Sequence, residues 1–454
     1  MIKRAIATLI IILFSGFPLI YAKTIYVAPS GKTFSGNNTT SSYSDPIEFS
    51  SIFAGTTSMP TSFLQSGDTM YFKGGQYDLN KTITFVQVKS SGTSIKKTVM
   101  AACSGETPIF DFRTQPYGDE VTGSNNIGFK VPADFTDIVG LHICYAGKNA
   151  MLVTGSYNLI DNCSFYGNGD SGLQMKTGGG NLIKNCDSYQ NFDYKSMNGT
   201  SPNYGQNADG FADKQYISSS TIKEANTYVA CRAWENSDDG WDFYQRITDE
   251  NYPTQIKDSW CFNNGPAEFD MTNHPRYETD KEWFDQFKTA DGKIIVKNDG
   301  NGNGFKIGGD GKKHNVQLAN CVAFGNTIKG FDQNNNAGNM EIYNCTSYRN
   351  GVNFGFGNKK SGAKLTIKNC VSAFSKKTDS FNPSGVGSDY LHSNNTWDLN
   401  IAVNDSDFER VDTSCMLNLF HLSLNSKLRD KGVDVGLGEW CYAAPDLGAF
   451  EYCE

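Results

Sequence analysis

A seven-residue phrase recurs along this chain and limits what it can fold into more than any other feature does. Asn162-Cys163-Ser-Phe-Tyr-Gly-Asn168 returns as Asn185-Cys186-Asp-Ser-Tyr-Gln-Asn191, as Asn320-Cys321-Val-Ala-Phe-Gly-Asn326 and as Asn344-Cys345-Thr-Ser-Tyr-Arg-Asn350. Cys144, Cys231, Cys261 and Cys370 sit in looser versions, so eight cysteines read as one ladder with steps of 19, 23, 45, 30, 60, 24 and 25 residues. A period of about 20 to 50 residues marks a solenoid, a propeller or an array. Within each unit, short alternating stretches such as Lys364-Leu-Thr-Ile-Lys368 are separated by Gly, Asn and Asp. That pattern predicts strands of a few residues joined by turns, with no amphipathic helix in the repeats. No four-strand blade of about 40 residues is present, which argues against a propeller.

One short strand per side for each turn of the chain gives an all-β fold, a parallel β-helix. Its coils stack about 4.8 Å apart, so equivalent residues line up as ladders. Stacked Cys then serve as small buried fillers, and stacked Asn bridge backbone groups at the turns. This matters because twelve cysteines in an exported chain would otherwise read as disulfides. Cys415, Cys441 and Cys453 fall outside the ladder, and their pairing is left open.

Export is expected from the N-terminus. Lys3 and Arg4 precede an apolar run over residues 5–13, Ser15, Gly16 and Pro18 break that run, and Ala22 offers a cleavage site. The run is short for a membrane span. Residues 1–22 are therefore expected to be a signal peptide, and 23–454 one domain, secreted to the periplasm or beyond and monomeric. About 23–125 would form N-terminal capping coils and about 400–454 a C-terminal capping segment. Lys plus Arg number 40 against 48 Asp plus Glu; without Lys3 and Arg4 this becomes 38 against 48, or −10. Such a balance argues against a nucleic-acid partner.

Three insertions, 192–206, 213–227 and 265–300, interrupt the same few coils and point to them as the working region. Aligning those coils on a Gly-aromatic pair sets Asp209-Gly210-Phe211 beside Asp238-Asp239-Gly240-Trp241-Asp242 and Asn303-Gly304-Phe305-Lys306, followed by Gly330-Phe331 and Gly355-Phe356. In this register Asp209 matches Asp239, and Asp242 matches Lys306. With the aromatic pointing inward, four carboxylates and a lysine converge outside the coil. So many like charges need a counter-ion. An all-oxygen ligand set suits Ca²⁺, and no His or Cys is there to suggest zinc. The alternatives are a solvated turn for the Asp pairs and an ordinary ion pair for Lys306.

These residues are where the chain resembles a known family, the family-nine polysaccharide lyases. The likeness rests on the motifs Asn207-Ala-Asp209-Gly, Asn236-Ser-Asp238-Asp239-Gly-Trp-Asp242 and Gly302-Asn-Gly-Phe-Lys306-Ile-Gly-Gly309. It extends to the opening Thr24-Ile-Tyr-Val-Ala-Pro-Ser-Gly31 and to Gly67-Asp-Thr-Met-Tyr-Phe-Lys-Gly-Gly-Gln-Tyr77. The resemblance implies a right-handed parallel β-helix and cleavage of a pectic polysaccharide. It also implies calcium on Asp209, Asp238, Asp239 and Asp242, with Lys306 as the base.

Four Asp and one Ca²⁺ still total −2 before an anionic substrate arrives, so further cations should line the groove. Arg246, Arg276 and Lys312 are candidates, with Arg232 and Lys313 behind them. Tyr244, Tyr204, Tyr277 and Trp283 are candidates to stack on sugar rings; Trp241 reads as core, and His274 and His314 as structural. Aromatic insertions on an acidic protein lean the substrate toward rhamnogalacturonan I over homogalacturonan. A polygalacturonase-like hydrolase, which needs two opposed carboxylates, and a non-catalytic glycan-binding protein are the competing readings.

Overall fold

The computed structural model describes residues 22–35, 40–53, 63–79, 86–118, 126–214, 224–357, 363–380 and 389–453. The expected signal peptide therefore falls almost wholly outside the described residues, as do 215–223 of the second insertion. Among the described residues, three sheets of thirteen, ten and nine strands pair in parallel, and each full coil contributes one strand to each sheet. This is the parallel β-helix that the repeat predicts.

The recurring phrase turns out to be a corner, a strand and a second corner. Asn162, Asn185, Asn320, Asn344 and Asn369, each just before a Cys, have φ of 48° to 58°. Asn tolerates this left-handed conformation better than most residues. Three-residue strands such as Ser164–Tyr166 and Asp187–Tyr189 follow in the ten-strand sheet. A second left-handed residue closes each, among them Gly167, Gln190, Glu235 and Asn263. The Asn that ends the phrase then begins an inner ladder. Asn168 donates to Asn191 (2.8 Å), Asn191 to Asn236 (2.8 Å), Asn236 to Asn264 (3.0 Å), Asn264 to Asn326 (2.9 Å) and Asn326 to Asn350 (2.9 Å). Each amide satisfies backbone and side-chain groups that the corner would leave buried and unpaired.

Register corrects two members of the cysteine ladder. His142 pairs with Ser164 and Arg232 with Trp260, so the residues that match Cys163 and Cys231 are Leu141 and Ser259. Cys144 and Cys261 lie in the strands themselves, although both are buried. Leu141 and Ser259 follow Gly140 and Asp258, which have the same left-handed φ. The spacing misled because Cys144 also has an Asn five residues on; Asn149 reaches Gln174 and Ser171 and is no part of the ladder. Phe354, not Phe356, continues the aromatic series, since Phe331 pairs with Phe354.

Inside the helix, Phe211, Trp241, Phe305, Phe331 and Phe354 stack with centroids 4.6, 4.9, 5.1 and 5.1 Å apart. The short helix Phe49–Phe53 buries Phe49, Ile52 and Phe53 at the N-terminal end of this core. At the other end, Phe408, Leu419, Phe420, Leu422, Leu428 and Leu447 pack on Val322, Phe324, Tyr348 and Val371, covering the outer face of the ten-strand sheet. Cys441 and Cys453 form a disulfide there, and Cys415 is free.

The insertions at 192–206 and 265–300 build a satellite core from Phe192, Tyr194, Met271, Phe284, Ile294 and Val296. Arg276 anchors it: fully buried, it donates to Tyr194 Oη (2.7 Å), Tyr145 O (2.9 Å) and Gln115 O (2.6 Å) and pairs with Asp280. Arg276 is thus a clamp and does not face a groove. Tyr204 packs on Trp283 and Phe287, and Tyr277 on Phe284, so these rings are partners of one another.

Candidate active site

The turn from the ten-strand to the nine-strand sheet carries Asp209, Asp238 and Asp239, and Asp242 ends the strand Trp241–Asp242 that follows. Phe211 pairs with Trp241 and Ala212 with Asp242; one coil on, Trp241 pairs with Phe305 and Asp242 with Lys306. The alignment on the Gly-aromatic pair is therefore the true register. Gly210 and Gly240 are required by close approach: a Cβ would meet the carbonyl oxygen of the next coil at 2.7 Å in each. That closeness brings successive carboxylates together.

One oxygen each from Asp209, Asp239 and Asp242 lies within 4.8 Å of the others, and all three residues are buried. Asp238 stands beside this set; its Oδ1 accepts the backbone N–H of Asn301 (2.7 Å). Lys306 Nζ lies 2.8 Å from Asp239 Oδ2 and 3.4 Å from Asp242 Oδ1. Sequence reasoning missed a second lysine: Lys214 Nζ lies 2.6 Å from Asp209 Oδ2 and 3.1 Å from Asp242 Oδ2. It also missed Ser171, whose hydroxyl is 2.9 Å from Asp209 Oδ2, and Asn303, whose backbone N–H and side-chain amide both donate to Asp239 Oδ1 (3.0 and 2.7 Å). Lys214 lies five residues past Asp209, at the edge of what reads as an insertion; only the register of its neighbour Ala212 with Asp242 hints at it.

Burial penalises every charge here, and the pairing decides who bears it. Burial pushes Asp239 up to about 7 despite Lys306, and Asp209 is raised by burial against Lys214. Burial and Asp239 together lift Asp238 well above the carboxylate range. Burial acts on Asp242 too, but Lys306 and Lys214 outweigh it and hold its carboxyl below the usual range. For Lys306, burial disfavours the ammonium, yet the carboxylates of Asp239, Asp242, Asp238 and Asp209 keep it protonated well above its ordinary value. The donor set is all oxygen and fits a hard divalent cation such as Ca²⁺. Buried carboxylates with raised pKa values are what such an ion relieves.

The other expected groove residues divide. Arg246 is fully buried: its Nε lies 2.9 Å from Asp213 Oδ1, and its other nitrogens donate to Lys176 O (3.1 Å) and Gly178 O (2.8 Å). Its charge is spent inside the protein, so it offers no substrate contact. Tyr244 is 37% exposed two residues past Asp242, with its N–H on Asp242 Oδ1 (3.0 Å). Lys312 is exposed in the turn after Gly309. Arg232 is paired with Asp187. His314 is buried on Thr254, and His274 sits in the satellite core, where burial drops its pKa to about 3.

Comparison with known proteins gives consistent matches. A family model described as "Pel9A-like, right handed beta helix region" matches residues 25–369. Pectate lyase L of Dickeya dadantii is 34% identical over 445 residues, spanning 94% of this chain and 90% of its own length. Pectate lyase PEL9 of Emericella nidulans is 26% identical over 88% of this chain and 89% of its own. Among solved structures, pectate lyase Pel9A matches at 32% identity with a TM-score of 0.72, over 94% of this chain and 96% of its own. A rhamnogalacturonan lyase shares the fold, with a TM-score of 0.66 at 20% identity over 89% and 97%.

Proposed function

Since the chain belongs to the Pel9A-like right-handed β-helix family and is a polysaccharide lyase, we propose that it is an exported, calcium-dependent lyase of pectic chains, with Lys306 as its base. The observation that carries this reading is the Lys306 ammonium, 2.8 Å from Asp239 at the edge of three buried, converging carboxylates. Asp209, Asp239 and Asp242 would hold the ion with Asp238 alongside. Once bound, the ion supplies countercharge to the cluster and withdraws electron density from the uronate carboxylate.

Lys306 does the proton chemistry. It takes the proton from C5 of a 4-linked uronate, the electrons left behind form the C4–C5 double bond, and the C4–O4 bond breaks. The departing O4 collects its proton from solvent. Lys306 can act only when neutral, and the surrounding carboxylates alone keep it charged. Calcium dependence follows from that conflict. Tyr244, exposed two residues past Asp242, and Lys312, exposed in the turn after Gly309, are the residues we assign to substrate contact.

For the substrate, the lean toward rhamnogalacturonan I rests on the acidic balance of the protein and on aromatics free to stack on sugars. Tyr204, Tyr277 and Trp283 are packed into the satellite instead. That leaves the acidic balance alone behind the lean, and with curated relatives named as pectate lyases homogalacturonan is the reading we prefer.

The test is to incubate purified protein with polygalacturonate and with rhamnogalacturonan I, in calcium or in chelator, and to follow ultraviolet absorbance of the unsaturated product beside new reducing ends. Absorbance that requires calcium, is faster on polygalacturonate and falls by roughly 10²–10⁴-fold in Lys306→Ala is the expected result. Reducing ends without absorbance would mean hydrolysis. Undiminished turnover in chelator would remove calcium from the mechanism, and full activity in Lys306→Ala would remove the base.

A further inference from the structure

Lys214 has no part in the chemistry above, yet it is only 8% exposed and sits against two of the three converging carboxylates. It is not a surface side chain that has happened to fold inward. It follows the strand Phe211–Asp213, whose last residue is fixed by Arg246 (2.9 Å) and Asn226 (2.9 Å). The two oxygens of Asp242 face different lysines, Oδ2 toward Lys214 and Oδ1 toward Lys306. Asp209 Oδ2 takes both Lys214 and the Ser171 hydroxyl. The cluster is thus divided: Lys306 serves the Asp239 side and Lys214 the Asp209 side.

Charge arithmetic gives this division a purpose. With all four ionised, Asp209, Asp238, Asp239 and Asp242 carry −4, and Lys214 and Lys306 bring that set to −2, the charge a single divalent ion cancels. We propose that Lys214 is a built-in counter-ion that stabilises the carboxylate cluster without metal and competes with a divalent cation for Asp209 and Asp242. The proposal rests on the reading that the cluster takes Ca²⁺. Two opposing effects would follow from removing Lys214. Loss of a contact that positions a ligand weakens a metal site by roughly 10–100-fold. Loss of a cation sharing a carboxylate with a divalent ion strengthens it, and at that range inside a protein the repulsion is the larger effect.

Lys214→Met should therefore bind Ca²⁺ at least about tenfold tighter than wild type by titration calorimetry. In chelator it should melt at a lower temperature, and it should gain more from added calcium than wild type does. Lys214→Arg, which keeps the charge, should stay near wild type in both measurements. A Lys214→Met protein that folds only with calcium would be the expected result in its extreme form. Equal or weaker calcium binding by a folded Lys214→Met protein would overturn the proposal and leave Lys214 an orienting residue. Asp239→Asn separates the two claims, because it should abolish calcium binding whatever Lys214 does. If neither wild type nor Lys214→Met binds calcium, the calcium reading fails, and the chelator melt alone decides the counter-ion: an unchanged melting temperature refutes it.

Discussion

Replacing Arg246 by methionine tests whether that residue acts on substrate or on the fold. Its guanidinium and the Asp213 carboxylate are both fully buried, 2.9 Å apart, and Asp213 ends the strand that lies between Asp209 and Lys214. Removing one partner of a buried pair strands the other, at a cost of about 3–5 kcal/mol. The Lys176 and Gly178 carbonyls lose their donors as well, adding about 1 kcal/mol, for a total near 4–6 kcal/mol. Burial raises the Asp213 pKa against the pull of Arg246. The folded carboxyl then holds its proton more readily than the unfolded one, and its ionisation costs stability as pH rises above the ordinary carboxylate range. Without Arg246 that cost grows, so the deficit should be larger at pH 8 than at pH 5. Chemical denaturation at both pH values measures it, and adding Asp213→Asn to Arg246→Met should recover most of the loss. A groove arginine would behave in the opposite way, with unchanged stability and a raised KM on pectate. An Arg246→Met protein within about 0.5 kcal/mol of wild type would refute the argument from burial.

Two further perturbations test the scaffold beneath the site. Burial pushes Asp193 up to about 7 although Asn207 donates to it (2.8 Å); because the folded value lies above the unfolded one, the charge costs stability progressively from about pH 4 to pH 7 and fully beyond. Asp193→Asn should therefore raise the melting temperature at pH 8, with the gain shrinking toward pH 5; a gain independent of pH would count against the charge as its cause. In the Asn ladder, Asn236→Ala removes the acceptor of the buried Asn191 backbone N–H and one of two acceptors of its side-chain amide, which keeps Ser188 Oγ, while the Asn264 side-chain oxygen keeps the backbone N–H of residue 236; the unpaired N–H should cost about 1–3 kcal/mol. Its control is Asn168→Ala, at a coil whose predecessor already carries Ala146 in that position; equal losses in the two variants would show that the ladder is not what is being measured.

The solenoid was legible because its period leaves a mark at every coil. A left-handed corner favours Asn or Gly wherever it falls, so Asn162, Asn185, Asn320, Asn344 and Asn369 announce the same bend each time. Where the corner is Gly140 or Asp258 and Leu141 or Ser259 follows it, the phrase weakens, and the nearest cysteine stands out as a false marker. Leu141 and Ser259 fill the inner position as Cys does, and packing accepts all three. The inner ladder is thus defined by place in the coil, which register reveals, and only loosely by residue type.

The site divides along the same line. Asp209, Asp239, Asp242 and Lys306 were legible because they sit at fixed offsets from a Gly-aromatic pair, and the backbone hydrogen bonds of successive coils enforce those offsets. Arg246, Arg276 and Lys214 lie outside the strands, where no periodicity says which way a side chain turns. A cation count treats them alike. The fold does not: it buries Arg246 against Asp213 and Arg276 against Tyr194 and Asp280, and turns Lys214 back onto the carboxylates. Three charges counted or passed over at the sequence level are thus consumed inside the protein. The shortage of groove cations is correspondingly real, and it makes a divalent ion the natural means of holding an anionic chain against an acidic site.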